Sequence, residues 1–256
     1  MSEEEEYGLS PEKESRAIKP PPVNYLPPRP REYNPGIALI GTGGISEFHL
    51  KNYQTCGYRV VALSNRTPAK AEAMRDRFYP NATVHKDYRE ILVREDVDVV
   101  DVTPHPADRL PILFDCLQAG KHVLSQKPFV LDLEEGKKLV DLANEKGLKL
   151  AVNQNGRWAP HFSYLRNAIS SGLIGEVTSI DFSLQWDQTW VQGIPSFEEM
   201  DHLVLFDFAV HWFDIASCLM GGHEPKKVYA SAVRHSAQVY KPPALASAII
   251  DYPNAQ

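Results

Sequence analysis

Residues 35–46 read PGIALIGTGGIS, and the fold turns on how they are read. An apolar run, 37–40, leads into Gly41-Thr42-Gly43-Gly44-Ile45-Ser46. That is the pattern of a buried strand breaking at a glycine turn. Ile45, Phe48, His49, Leu50 and Tyr53 predict an amphipathic helix straight after it. Gly41 lets the chain turn sharply. Gly43 lets main-chain N–H groups approach a pyrophosphate at the helix N-terminus, where orphan donors and the helix dipole favour negative charge. Ser46 stands at the third small position of this fingerprint, where close packing of helix on strand is required. The turn also opens a long strand–helix alternation, the setting in which such a glycine pattern means dinucleotide binding.

Working outward, residues 59–64 (RVVALS) predict a strand, and Thr67 followed by Pro68 predicts the capped start of a helix. Asp87 with Glu90, and Asp132 with Glu135, have the spacing of capping boxes for two more helices. Strands are expected at 97–102, 122–125 and 148–152, with helices ending at Gly120 and Gly147. Repeated βα units predict an α/β domain over residues 35–155, a Rossmann-type doubly wound parallel sheet whose ligand lies at the carboxyl ends of its strands. Residues 1–34 are a proline-rich N-terminal arm unable to pack as a helix. Val23, Tyr25, Leu26 and Tyr33 interleave with the prolines, so residues 18–34 are expected to lie along the protein's own surface or a neighbouring subunit.

Beyond residue 155 the pattern changes. A helix is predicted over 160–171 and another over 203–220, stopped by Gly221-Gly222. Residues 176–187 alternate, with Thr178, Ile180, Phe182, Leu184 and Trp186 on one face and Ser179, Asp181, Ser183 and Gln185 on the other. This predicts a two-faced strand of an antiparallel or mixed sheet, joined by strands at 227–234 and 245–252. Residues 156–256 thus read as an α+β substrate and oligomerisation domain built on an open, mostly antiparallel sheet. A sheet of that kind invites pairing into a homodimer or tetramer.

The net charge of −6 and the lack of a basic cluster argue against nucleic acid as a partner. Cys56, Cys116 and Cys218 lie far apart, with neither metal-type spacing nor the makings of a disulfide framework. This predicts no metal site and a reducing, cytoplasmic setting. The acidic start MSEEEEYGLS lacks the apolar core of a signal peptide, and no apolar run is long enough for a membrane span.

Two groups of residues could do chemistry. Ser125-Gln126-Lys127-Pro128 ends a predicted strand on the ligand edge of the sheet, where Lys127 could hold a substrate oxygen. Asp207 and His211 lie four apart on one face of a helix that is otherwise apolar. Placing them there, with Asp214, is costly unless they are paired or line a cavity.

Together, the glycine turn 41–46, the string Ala119-Gly120-Lys121-His122-Val123-Leu124-Ser125-Gln126-Lys127-Pro128 and Asp207-x-x-x-His211 resemble the glucose–fructose oxidoreductase / inositol dehydrogenase / rhizopine-catabolism (Gfo/Idh/MocA) family. The resemblance spans about residues 35–256. It implies hydride transfer between NAD(P) and a small sugar, polyol or similar secondary alcohol or carbonyl. It implies Lys127 as the lysine that orients substrate, His211 as acid/base, and Asp207 as the residue positioning substrate and histidine. Gln126 stands where the family usually has glutamate, and Thr103-Pro104-His105 where it often has T-P-N. Thr103, Pro104 and His105 are assigned, with Gly41, Thr42, Gly43, Gly44, Ile45, Gln126, Lys127 and Asn155, to the cofactor. Arg157 and Trp158, entering the interdomain crevice, are assigned to substrate. Members run well past this chain's length, so the second domain is expected to be incomplete. The second strand ends in Ser64-Asn65-Arg66 with no carboxylate for ribose hydroxyls, which favours NADP over NAD. Two other readings stay open: a non-catalytic nucleotide-binding sensor, and an NAD-using lyase or glycosidase.

Overall fold

The computed structural model describes residues 21–28, 30 and 32–253. The first domain is built from β1 (Gly36–Ile40), α1 (Gly44–Cys56), β2 (Arg59–Ser64), α2 (Pro68–Phe78), β3 (Thr83–His85) and α3 (Arg89–Leu92). β4 (Val99–Val102), α4 (Pro106–Gln118), β5 (His122–Ser125), α5 (Leu133–Glu145) and β6 (Leu150–Val152) complete it. The six strands are parallel in the order β3-β2-β1-β4-β5-β6. This is the Rossmann order, with the switch point between β1 and β4.

β1 is buried along its whole length because it lies in mid-sheet, with apolar side chains directed to both faces. Ala38 and Ile40 enter one core with Val100, Val102, Leu113 and Leu139. Ile37 and Leu39 enter the other with Leu50, Leu63 and Phe78. The packing face of α1 is Ser46, His49 and Leu50, with Tyr53 packed beside it. Ile45 and Phe48, expected on that face, are exposed instead. The buried set follows the 46, 49, 50, 53 helical spacing, and Ser46 is small enough to touch the sheet.

Local chemistry departs from expectation in three places. Thr67 makes no side-chain cap; Asn65 Oδ1 takes the Thr67 N–H at 2.8 Å instead. Asp87 and Asp132 do cap their helices, at Arg89 N and at Glu134 N and Glu135 N. However, Glu90 turns to His85 and Glu135 to Lys138, so neither box closes reciprocally. β3 is an edge strand of three residues, too short for a periodic signal.

The second domain contains a 3-10 turn (Asn155–Trp158), α6 (Pro160–Ser170), α7 (Pro195–Glu198), a π-helical turn (Val204–Phe208), α8 (Val210–Leu219), β7 (Lys227–Val233) and β8 (Leu245–Asp251). β7 and β8 pair antiparallel, with Ala230 opposite Ala248. The strand expected at 176–187 does not form. A cavity of about 720 Å3 lies between Ser179–Gln188 and Ala244–Ile250, so this stretch has no ladder partner beside it. Alternation reports which faces differ, but a strand also needs a neighbour to bond. Trp186 and Trp190 pack around Phe208 and Phe197 on this side of the domain.

The described part of the arm lies on α6. Tyr164 Oη donates to the Pro21 carbonyl at 3.0 Å, Ser163 Oγ donates to that of Tyr25, and the Tyr25 and Tyr164 rings meet edge-on. Residues 1–20, 29 and 31 of the arm fall outside the described residues. Among the described residues no helix is long and apolar enough to cross a membrane.

Candidate functional site

The ends of β1, β2, β4, β5 and β6 bring the glycine turn and three other predicted groups to one edge of the sheet. Gly41 has φ +90°, and a Cβ there would lie 2.7 Å from Thr103 Oγ1, so only glycine fits. Thr103 Oγ1 donates to the carbonyls of Ile40 and Gly41, and Gly41 N donates to Ser64 O. Asn65 Nδ2 donates to Thr42 Oγ1 at 2.6 Å. The turn is therefore tied to both neighbouring strands. At Gly43 and Gly44, by contrast, a Cβ would meet nothing, and no side chain caps α1.

Arg66 extends from the end of β2 with its side chain 88% exposed and pairs with Asp108 at 3.2 Å. Ser64 is buried in the sheet. His105 opens α4, and among the described residues its buried Nε2 has no partner.

The two chemical groups meet. Lys127 Nζ donates to the Asp207 carbonyl at 2.8 Å and to Asp207 Oδ1 at 3.0 Å. Both side chains are less than one-fifth exposed. The pair joins the Rossmann domain to the π-helical turn of the second domain. His211, one turn on in α8, is half-buried, and among the described residues its Nδ1 has no partner. Burial lowers its pKa below the ordinary 6.5; Lys127 lowers it further, and Asp207 and Asp214 pull the other way. The imidazole is therefore predominantly neutral at neutral pH. Gly156 lets the backbone pass close to it: a Cβ at Gly156 would lie 3.5 Å from His211 Nδ1.

The assigned substrate residues have other attachments. The Arg157 fork is held by both oxygens of Asp214, which raises the arginine's pKa above its usual range. Trp158 lies under the Arg166 guanidinium at 4.7 Å. Asn155 starts the 3-10 turn and is exposed.

Sequence reasoning missed a buried network under Gln126. Asp101, fully buried, accepts from Tyr53 Oη at 2.8 Å and lies 2.7 Å from His49 Nδ1. His49 Nε2 meets Asn153 Nδ2 at 3.0 Å and Gln126 Nε2 at 3.4 Å. Gln126 Oε1 accepts the Lys127 N–H at 2.7 Å. The available signal was Asp101 itself, a carboxylate inside the apolar strand VVDV. Arg109 was missed as well.

Fold and site together define a two-domain protein with a Rossmann sheet, in which a lysine at the end of β5 pairs with an aspartate of the second domain one turn from a half-buried histidine. Residues 36–154 match the model of an oxidoreductase family with an NAD-binding Rossmann fold, and residues 162–256 match the GFO/IDH/MocA C-terminal domain. The chain belongs to the Gfo/Idh/MocA oxidoreductase family. It is 29% identical over 202 residues to inositol 2-dehydrogenase of Rhizobium meliloti, covering 77% of this chain and 58% of that protein. It is 31% identical over 177 residues to dTDP-3,4-didehydro-2,6-dideoxy-alpha-D-glucose 3-reductase of Streptomyces violaceoruber, covering 68% and 50%. The fold matches the crystal structure of scyllo-inositol dehydrogenase from Lactobacillus casei, solved with bound NAD(H) and scyllo-inositol. That match has a TM-score of 0.75 at 21% identity over 86% of this chain and 67% of the other. The chain spans about half the length of the curated relatives it matches.

A nicotinamide dinucleotide is the cofactor this family implies, and the residues present fit it. The uncapped first turn of α1, the open space at Gly43 and Gly44, and the orphaned His105 Nε2 are what a bound pyrophosphate and nicotinamide would use.

Proposed function

We propose that the protein is an NAD(P)-dependent oxidoreductase acting on a secondary alcohol of a sugar or polyol, or on the matching carbonyl. The observation that carries this reading is the Lys127–Asp207 pair across the domain crevice, beside a histidine whose buried Nδ1 is unpartnered. The two curated relatives, named as an inositol dehydrogenase and a nucleotide-sugar reductase, support the substrate class.

A bound nicotinamide would supply the hydride acceptor for the alcohol or the hydride donor for the carbonyl, and the 41–45 turn with Thr103, Pro104 and His105 would hold the dinucleotide. The chain's own residues manage the oxygen and its proton. Lys127 Nζ donates to the substrate oxygen and stabilises its negative charge as the proton leaves. His211, held neutral by burial, takes that proton in oxidation and gives it back in reduction. Asp207 keeps the ammonium in place. Arg157, fixed by Asp214, holds the turn that carries Gly156 against His211.

NADP is the proposed form of the cofactor. Support comes from the missing carboxylate after β2 and from the exposed Arg66, which could leave Asp108 for a 2′-phosphate. Fluorescence titration with NADPH and, separately, NADH tests this half, and tighter NADH binding overturns the NADP assignment. An alcohol and sugar screen tests the other half. Lys127→Ala and His211→Ala are expected to lower turnover by about 100-fold or more while nucleotide binding survives. Wild-type turnover in both variants would refute the site.

A further inference from the structure

Arg109 is among the most deeply buried large side chains of the protein, 1% exposed. Among the described residues every hydrogen bond it makes goes to a main-chain carbonyl. Nε and Nη2 donate to Pro104 O at 3.1 and 3.0 Å, and Nη2 also reaches Lys127 O at 3.4 Å. Nη1 donates to the carbonyls of Gln126 and Pro128. Burying a guanidinium without a carboxylate bonded to it is costly. Desolvation pushes its pKa down to about 10, with Asp207 as the opposing charge, so it remains a cation at neutral pH.

The carbonyls it holds belong to two separate turns. Pro104 follows β4 and precedes His105; Gln126, Lys127 and Pro128 follow β5. Sheet pairing connects the second turn only through Gln126 N to Val102 O, at 3.0 Å. Beyond that bond, the course of the chain through Lys127 depends on side chains. The planar fork of Arg109 spreads five donors over carbonyls lying in different directions, whereas a lysine has three donors at a single point.

We infer that Arg109 is a positioning residue of the candidate site: it clamps the 126–128 turn to Pro104, so that the Lys127 ammonium arrives at Asp207. Its kinetic consequence rests on the reading of Lys127 given above, but its geometric consequence does not. The two can be measured separately.

The test follows acylation of the Lys127 amine in the 256-residue chain by mass spectrometry, with Asp207→Asn as the reference for a released lysine. Arg109→Lys and Arg109→Met should raise the Lys127 acylation rate severalfold, toward the Asp207→Asn value, because an amine released from the Asp207 pair is no longer held less than one-fifth exposed. Surface lysines in the same digest should be unchanged. Where turnover exists, kcat should fall more than KM rises, and Arg109→Lys should be less impaired than Arg109→Met. A folded Arg109→Lys with wild-type acylation of Lys127 overturns the inference. A second measurement needs no variant: the amide of Lys127, bonded to Gln126 Oε1, should exchange hydrogen as slowly as those of β5. Fast exchange there would also overturn it. Absence of any turnover in the unaltered chain would count against the proposed function and leave both readouts of Arg109 intact.

Discussion

The two halves of the molecule handle their sheets differently. β1 is buried along its whole length and has a hydrophobic core on each face. β7 is exposed at six of its seven positions, and Val228, Tyr229, Val233, Leu245 and Ile249 on the two-stranded sheet are all more than half exposed. The buried apolar cluster of the second domain is Val191, Leu203 and Tyr240, with Ala168, Ile215, Leu219 and Met220 buried outside it. Hydrophobic stabilisation scales with area removed from water, so it is concentrated in the first half. The site nevertheless draws on both. Lys127 stands at the edge of the well-packed sheet, and Asp207 and His211 come from a helix of the open domain. The rigid half fixes the lysine, and the ion pair carries that position across to the other domain.

This contrast can be broken most directly by paired truncations. Leu39→Ala, at a fully buried position, should cost about 3 kcal/mol in urea unfolding. Val228→Ala, at an exposed one, should stay within about 0.5 kcal/mol. Equal costs would mean that β7 is covered in solution by something the described residues do not include.

A smaller effect is expected at the turn joining the two cores. Gly41→Ala sets a Cβ against Thr103 Oγ1 at a positive φ and should cost about 2 kcal/mol. Nucleotide affinity should fall with it, whereas Gly44→Ala, which meets nothing within the protein, should lower affinity with little loss of stability. Thermal midpoints alongside nucleotide titrations would separate the two.

The smallest effect sharpens the comparison at the crevice. The folded pKa of His211 lies below its unfolded value of about 6.5. The unfolded chain therefore binds the proton more readily, and this group's contribution to stability is intact above that pH and declines as pH falls through the folded pKa. The acidic limb of kcat/KM for alcohol oxidation should accordingly lie below 6.5. His211→Asn should abolish that limb. A limb above 6.5 would mean that another group is the base.

How much could be read from the chain alone follows the same division. In the first domain strand, turn and helix are set by local rules, and the glycines, the βα alternation and the apolar runs agree with one another. Lys127, Asp207 and His211 were legible because each is a charged or titratable group in an apolar or edge setting. What could not be read depends on distance in the chain. The Arg109 clamp joins residues 17–19 apart through backbone atoms, which carry no sequence signature. Asp101 with His49 is a pairing across 52 residues. The alternation at 176–187 predicted two faces, yet Ser179, Asp181 and Gln185 line the same cavity as Ile180, Phe182, Leu184 and Trp186, because a pleated strand needs a neighbour to bond and the adjoining space is that cavity.

The π-helical turn at Val204–Phe208 has a consequence for angular phase. An α-helix advances about 100° per residue, and a π turn accommodates one residue more than an α turn would. The segment thus takes up one residue between Leu203, which is anchored in the small core, and His211 in α8. Removing one residue there would convert the π turn into an ordinary α turn and leave Leu203 and His211 close to their present relative angle. The residues inside the turn, Asp207 among them, are the ones that would change direction. A single deletion in 204–208 should therefore spare the burial of Leu203 and the aspect of His211 while breaking the Lys127–Asp207 pair, whereas a deletion within α8 should rotate everything beyond it by about 100°.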